Sequence, residues 1–186
     1  LTVLVPAYKE LDSLGHVLDA LRMQTRPVDR IIVTLDPHKQ RERTEELDRI
    51  AREAGAQVWY SVDNRCKKAG NLNGALAKLL PTLSDGDSVL IQDADTYLDP
   101  DFLAVTQKRL DKGYGAAGGN FRGREGGKLC GIFQRNEYAR YARDTSRKRG
   151  KVLCLTGTAT LFRVEALRDV LAARESGKLP AADGVY

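Results

Sequence analysis

Short apolar runs alternate along the chain with segments whose apolar residues recur every three or four positions. That alternation predicts an α/β fold: a mostly parallel sheet with helices on both faces. Leu1-Thr2-Val3-Leu4-Val5 predicts a buried strand over 2–5, and Leu11, Leu14, Val17, Leu18 and Leu21 then share one helical face. Further strands are predicted over 30–35, 57–60 and 88–92. Between them lie a helix carrying Leu47, Ile50, Ala51 and Ala54, with Gly55 at its end, and one carrying Ala69, Leu72, Ala75, Leu76 and Leu79, stopped by Pro81. Asp99-Pro100-Asp101 opens the next helix, since proline fits the first turn and aspartates favour its positive end. A strand over 114–118 leads into a glycine-rich, basic stretch over 118–128. A helix is predicted over 131–149 with Ile132, Phe133, Tyr138, Tyr141 and Ala142 inward, followed by strands over 152–155 and 160–162 and a helix over 164–173.

Composition narrows the class. With 186 residues, 42% of them hydrophobic, one domain over 1–186 can build its own core. Charged residues at 30% and a mean hydropathy of −0.40 describe a soluble surface. No run approaches the roughly 18–20 apolar residues that span a bilayer. Cys66, Cys130 and Cys154 are odd in number and widely spaced, which excludes a disulfide scaffold and a four-cysteine zinc site and suits a cytoplasmic, reducing compartment. A strand that begins at once and an end at Asp183-Gly184-Val185-Tyr186 read as a piece of a longer protein, one that could sit at the cytoplasmic face of a membrane.

Open α/β sheets bind ligands at the carboxyl ends of their strands, so polar residues there carry the candidate chemistry. Asp93-Ala94-Asp95 follows the fourth strand. Two carboxylates so close repel unless a cation sits with them, and Mg²⁺ or Mn²⁺ would take their oxygens and leave positions for phosphate. The plainer account makes the pair caps for the helix near Pro100. Asp36 could accept from a base N–H or a ribose hydroxyl, or serve only as a turn residue before Pro37. His16 and His38 lack metal-ligand spacing and read as structural or solvent residues. Arg65-Cys66-Lys67-Lys68-Ala69-Gly70-Asn71-Leu72-Asn73 puts basic and amide side chains at a helix start, a setting for a diphosphate or a solvated helix end. From 135 to 151, Arg135, Arg140, Arg143, Arg147, Lys148, Arg149 and Lys151 face only Glu137 and Asp144. This run reads as a wet helix face or a contact for an anionic membrane surface or acidic acceptor. Nucleic acid is disfavoured, because the net charge is only +5 and no aromatic ladder accompanies the basic residues.

Four segments together resemble the family-2 glycosyltransferases, inverting enzymes with the GT-A fold. They are 3–10 (Val-Leu-Val-Pro-Ala-Tyr-Lys-Glu), 68–76 (Lys-Ala-Gly-Asn-Leu-Asn-Gly-Ala-Leu), Asp93-Ala94-Asp95 and 156–163 (Thr-Gly-Thr-Ala-Thr-Leu-Phe-Arg), in the family's order and spanning nearly the whole chain. The second segment looks like the processive, cellulose-synthase-like and hyaluronan-synthase-like branch. The resemblance implies a UDP-sugar donor, Mn²⁺ or Mg²⁺, and a carbohydrate or lipid-linked acceptor. It implies that Pro6, Ala7, Tyr8 and Glu10 line the nucleotide pocket and that Asp36 holds uracil or ribose. Lys68 would face the diphosphate, with Asn71 and Asn73 shaping that wall. Asp93 would reach ribose and metal, Asp95 would be the firmer metal ligand, and Gly157 and Thr158 would border sugar and acceptor.

The chain departs from the family pattern in places. Asp36-Pro37-His38-Lys39 replaces the common D-x-S-x-D, and Lys9 stands where asparagine is frequent. The catalytic base of the family lies in a later Glu-Asp motif, followed in processive members by Q-x-x-R-W; neither precedes Tyr186, and Asp183 lies upstream of the expected place. The base is therefore expected beyond Tyr186. Two other classes stay open: a nucleotidyltransferase, although residues 6–10 hold no glycine, and a non-catalytic nucleotide- or membrane-surface-binding module. A NAD-binding site is excluded by the lack of G-x-G-x-x-G after the first strand.

Overall fold

The structure is a computed structural model that describes residues 1–37, 41–62, 64, 66–123, 125–148, 152 and 155–178. In chain order it contains β1 (Thr2–Ala7), α1 (Leu11–Arg22), β2 (Arg30–Leu35), α2 (Arg41–Glu53), β3 (Gln57–Tyr60), α3 (Lys67–Leu79), β4 (Ser88–Gln92), α4 (Phe102–Leu110), β5 (Ala116–Gly118), α5 (Lys128–Arg147), β6 (Ala159–Arg163) and α6 (Val164–Glu175). Expectations on His38, Lys39, Arg65, Arg149, Lys151, Cys154 and Asp183, and the middle of the strand expected over 152–155, lie outside the described residues.

One six-stranded sheet runs in the order β3-β2-β1-β4-β6-β5. β1 pairs in parallel with β2 and β4, and β2 with β3, whereas β6 is antiparallel to both β4 and β5. The period-2 alternation of strands sorts their side chains onto two faces. Val3, Val5, Val33, Leu35, Leu90 and Leu161 join α1, α2 and α4 through Leu14, Leu18, Leu21, Leu47, Ala51 and Leu103. Leu4, Ile32 and Val89 face the other way, onto Leu76 and Leu79 of α3 and Val164 and Leu167 of α6. Helices therefore cover both faces, as the sequence predicts.

Several boundaries differ from the pattern for identifiable reasons. β1 continues through Pro6 to Ala7 along β2, but its pairing with β4 stops at Leu4↔Ile91, so the proline's missing N–H interrupts no ladder on that side. Gly55, at φ +64, follows the end of α2 in the left-handed conformation that glycine tolerates. Pro81 does not stop the chain turning; α3 tightens into a 3-10 turn over Leu80–Thr82. β5 is shorter than 114–118.

α5 requires a correction. The face predicted to point inward does not: no residue of α5 is buried, Ile132 is 48% and Phe133 61% exposed, and Tyr138, Tyr141 and Ala142 are only half-covered. Tyr138 packs on Phe121, ring centroids 5.6 Å apart, rather than on the sheet. Among the described residues no helix is long and apolar enough to cross a membrane.

Candidate active site

The chain crosses from β3 through α3 to the far side of β1 before forming β4. This reversal of strand order places a crevice between the carboxyl ends of β1 and β4, where an open α/β sheet binds its ligands. A cleft of about 370 Å³ lies there. Its walls are Pro6, Ala7, Tyr8 and Glu10 after β1, Asp36 after β2, Asn64 after β3, Lys67, Lys68 and Asn71 on α3, and Asp93, Ala94 and Asp95 after β4.

The acidic corner is held by bonds that begin in the core. Gln92 is fully buried at the end of β4, and its Nε2 donates to Thr96 O at 2.7 Å. Asp93 N donates to Thr158 O at 2.8 Å, and Ser13 Oγ to Ala94 O at 2.8 Å. Three separate elements thus fix a four-residue loop, and the two aspartate side chains leave it toward the cleft. Asp101, not either of them, holds the N-cap position of α4. Asp95 is exposed, whereas Asp93 is half-buried and pairs through Oδ1 with the Lys68 ammonium. Burial pushes the Asp93 carboxyl above the usual aspartate value; Lys68 pulls it down, while the charges of Asp95 and Glu10 push it further up.

The same Lys68 Nζ donates to Gly157 O at 3.2 Å. Asp93 Oδ1 and this carbonyl therefore already share a cation, and with Asp95 they offer hard oxygen donors suited to Mg²⁺ or Mn²⁺. Among the described residues no group of three or more His, Cys, Asp and Glu side chains comes close enough together to hold a metal ion. A divalent ion here would rest on two carboxylates and complete its shell from ligand oxygens or water.

On the opposite wall, Asp36 is buried and its Oδ2 accepts from Asn64 Nδ2 at 2.8 Å. Asn64 also donates to Lys67 O at 2.8 Å and accepts from Cys66 N at 3.1 Å, which ties Asp36 to the first turn of α3. Gly70 makes room for it, because a Cβ there would overlap Asn64 Oδ1. Lys67 takes a left-handed φ of +49 at the start of α3, an uncommon conformation for a non-glycine residue and one concentrated at functional sites. Glu10 lines the cleft while its Oε2 accepts from Tyr8 N at 2.7 Å and Lys9 N at 2.8 Å, which pins the turn after β1.

Pro6, Ala7, Tyr8, Glu10, Asp36, Lys68, Asn71, Asp93 and Asp95 thus meet around one cleft. Asn71 does so with its amide donating to Thr34 O at 3.2 Å, so it also anchors α3 to β2. Asn73 is not part of the wall; its Oδ1 accepts from Arg174 Nη1 of α6 at 3.4 Å. Gly157 and Thr158 reach the corner through their backbone carbonyls. Sequence reasoning missed Asn64, whose signal was its place at the carboxyl end of a parallel strand, and the supporting Gln92 and Ser13.

Comparison with known proteins agrees with this architecture. A family profile described as glycosyltransferase like family 2 matches residues 1–185. Among solved structures, a mannosyltransferase from Pyrobaculum calidifontis, in complex with GDP-Man and Mn²⁺, is 24% identical with a TM-score of 0.66 over 91% of this chain and 46% of its own. Glucosyl-3-phosphoglycerate synthase from Mycobacterium tuberculosis, in complex with Mn²⁺, UDP-Glc and phosphoglyceric acid, is 23% identical with a TM-score of 0.55 over 88% of this chain and 56% of its own. A mycobacterial protein is 25% identical with a TM-score of 0.56, over 88% of this chain and 53% of its own. The chain thus spans about half the length of these structures, and no curated protein matches it. Matched over all but its last residue, the chain belongs to the family-2-like glycosyltransferases.

Proposed function

We propose that the cleft binds a nucleoside-diphosphate sugar with a divalent cation and presents its anomeric carbon to an acceptor hydroxyl for transfer with inversion. The observation that carries this reading is the convergence of Asp93, Asp95, Lys68 and Asp36 on one cleft at the strand-order reversal. Asp36, held by Asn64, accepts an N–H from the base. The imide N–H of uracil fits, and UDP is the proposed carrier; guanine offers the same donor, so GDP is the comparison. Asp93 and Asp95 would hold the divalent ion, Mn²⁺ or Mg²⁺. When bound, such an ion stabilises the charge that grows on a departing diphosphate. Lys67 and Lys68 add positive charge at the first turn of α3, where free backbone N–H groups also favour phosphate. Transfer further requires a carboxylate within hydrogen-bond reach of a carbohydrate or lipid-linked acceptor, to take its proton.

Calorimetry with UDP and with GDP, each with and without Mn²⁺, tests the proposal. Metal-dependent binding of UDP that disappears in Asp95→Ala supports it. Equal UDP binding with and without metal, or none at all, would count against it and favour a surface-binding module.

A further inference from the structure

Lys68 does more in this structure than face a ligand, because its ammonium is already committed. It pairs with Asp93 Oδ1 and donates to Gly157 O, joining α3, the end of β4 and the loop before β6. Those two oxygens belong to the corner assigned above to a divalent ion. An ammonium and a metal cannot share one carboxylate oxygen at contact distance without strong repulsion. One must leave. The lysine can: its four-carbon stem is flexible, and its side chain is 45% exposed, so it moves without disturbing the core. It starts from the second residue of α3, beside Lys67 on the same wall, so an anion in the cleft lies within the reach of the displaced ammonium.

We propose that Lys68 is an exchangeable counter-cation: it neutralises Asp93 in the free protein, yields those oxygens to the divalent ion, and re-pairs with the diphosphate that arrives with it. This deepens the reading of the cleft as a metal-dependent nucleotide-sugar site and rests on it. The exchange keeps the acidic corner neutralised in both states, which a site of two bare carboxylates could not do. It also makes metal and nucleotide binding cooperative, since the diphosphate stabilises the lysine that the metal expels.

The arrangement gives one side chain opposite effects on two affinities. Removing the ammonium relieves Asp93 of its competitor, so Lys68→Met should bind Mn²⁺ alone more tightly, by about three- to tenfold, read from the free-ion paramagnetic resonance signal without nucleotide. The same variant loses a charged partner of the diphosphate and should bind UDP at saturating Mn²⁺ about tenfold more weakly by calorimetry. Lys68→Arg, which keeps the charge, should stay near the parent on both. A merely structural strut would lower both affinities in Lys68→Met, and that result overturns the proposal. So does unchanged Mn²⁺ affinity, or unchanged UDP affinity. Failure of the unmodified chain to bind UDP with Mn²⁺ would instead remove the functional reading, while the sign of the Mn²⁺ change in Lys68→Met would still decide whether the lysine competes for Asp93.

Discussion

Asn64 Nδ2 stands 2.8 Å from Asp36 Oδ2 and ties the loop after β3 to the end of β2 at the edge of the cleft. The bond fixes one oxygen of a buried carboxylate and so orients the group proposed to receive the base. Asn64→Ala should weaken UDP binding by about three- to tenfold, in line with the loss of one hydrogen bond to a charged group. Gly70→Ala should do the same without touching either residue, because the new Cβ would displace Asn64. Calorimetry on both variants checks the pairing; parent-like affinity in both would contradict it.

Asp95 is exposed and anchors nothing in the core, so Asp95→Ala should leave thermal stability within about 0.5 kcal/mol of the parent while abolishing the metal dependence of UDP binding. Denaturant unfolding alongside calorimetry separates the two effects.

Acid should switch the site off early. The Asp93 carboxyl lies above the usual aspartate value, chiefly through burial, so it takes up a proton at a higher pH than an exposed aspartate does. Once protonated it serves neither metal nor Lys68. Mn²⁺-dependent UDP binding should therefore fade as pH falls, beginning above the ordinary aspartate range. The stability contribution has the opposite sign. A raised folded-state value means that ionised Asp93 disfavours the fold above that value, and protonation on lowering the pH removes the penalty. Affinity should thus fall across this window without a loss of stability attributable to Asp93, as paired calorimetry and unfolding at stepped pH would reveal.

Core and surface should part cleanly. Leu90 is fully buried in β4 and packs among Val3, Val5 and Leu161, so Leu90→Ala should cost about 2–5 kcal/mol. Phe133→Ala on α5 should change stability by no more than about 0.5 kcal/mol, since the ring is mostly in solvent. Chemical denaturation measures both.

How much of this the sequence reveals depends on which force sets each feature. β2, β3 and β4 match their predicted bounds: short apolar runs such as Val89-Leu90-Ile91 mark the two central strands, while the exposed to half-covered β3 is set off by Gly55 before it. α5 misleads because Ile132, Phe133, Tyr138 and Tyr141 have helical spacing, yet spacing shows a shared face and not what covers it. The cleft was largely legible, since Asp36, Asp93 and Asp95 each follow a strand whose end the pattern locates. Asn64 was not, because its partner lies 28 positions away and the two meet only when β2 and β3 pair. Nor does side-chain identity show that Gly157 and Thr158 act through backbone carbonyls. The antiparallel setting of β6 is equally silent in the pattern, because a buried strand alternates alike in either direction.

In the proposed function, Asp93 and Asp95 grip a divalent cation that in turn grips a diphosphate. Crystals grown with Mn²⁺ and UDP, measured for the anomalous signal of manganese, test it most directly. A single peak between these two carboxylates and the diphosphate oxygens, with Lys68 turned from Asp93 to the phosphates, is the predicted result. UDP bound with no manganese at that corner, and Lys68 still on Asp93, would contradict it.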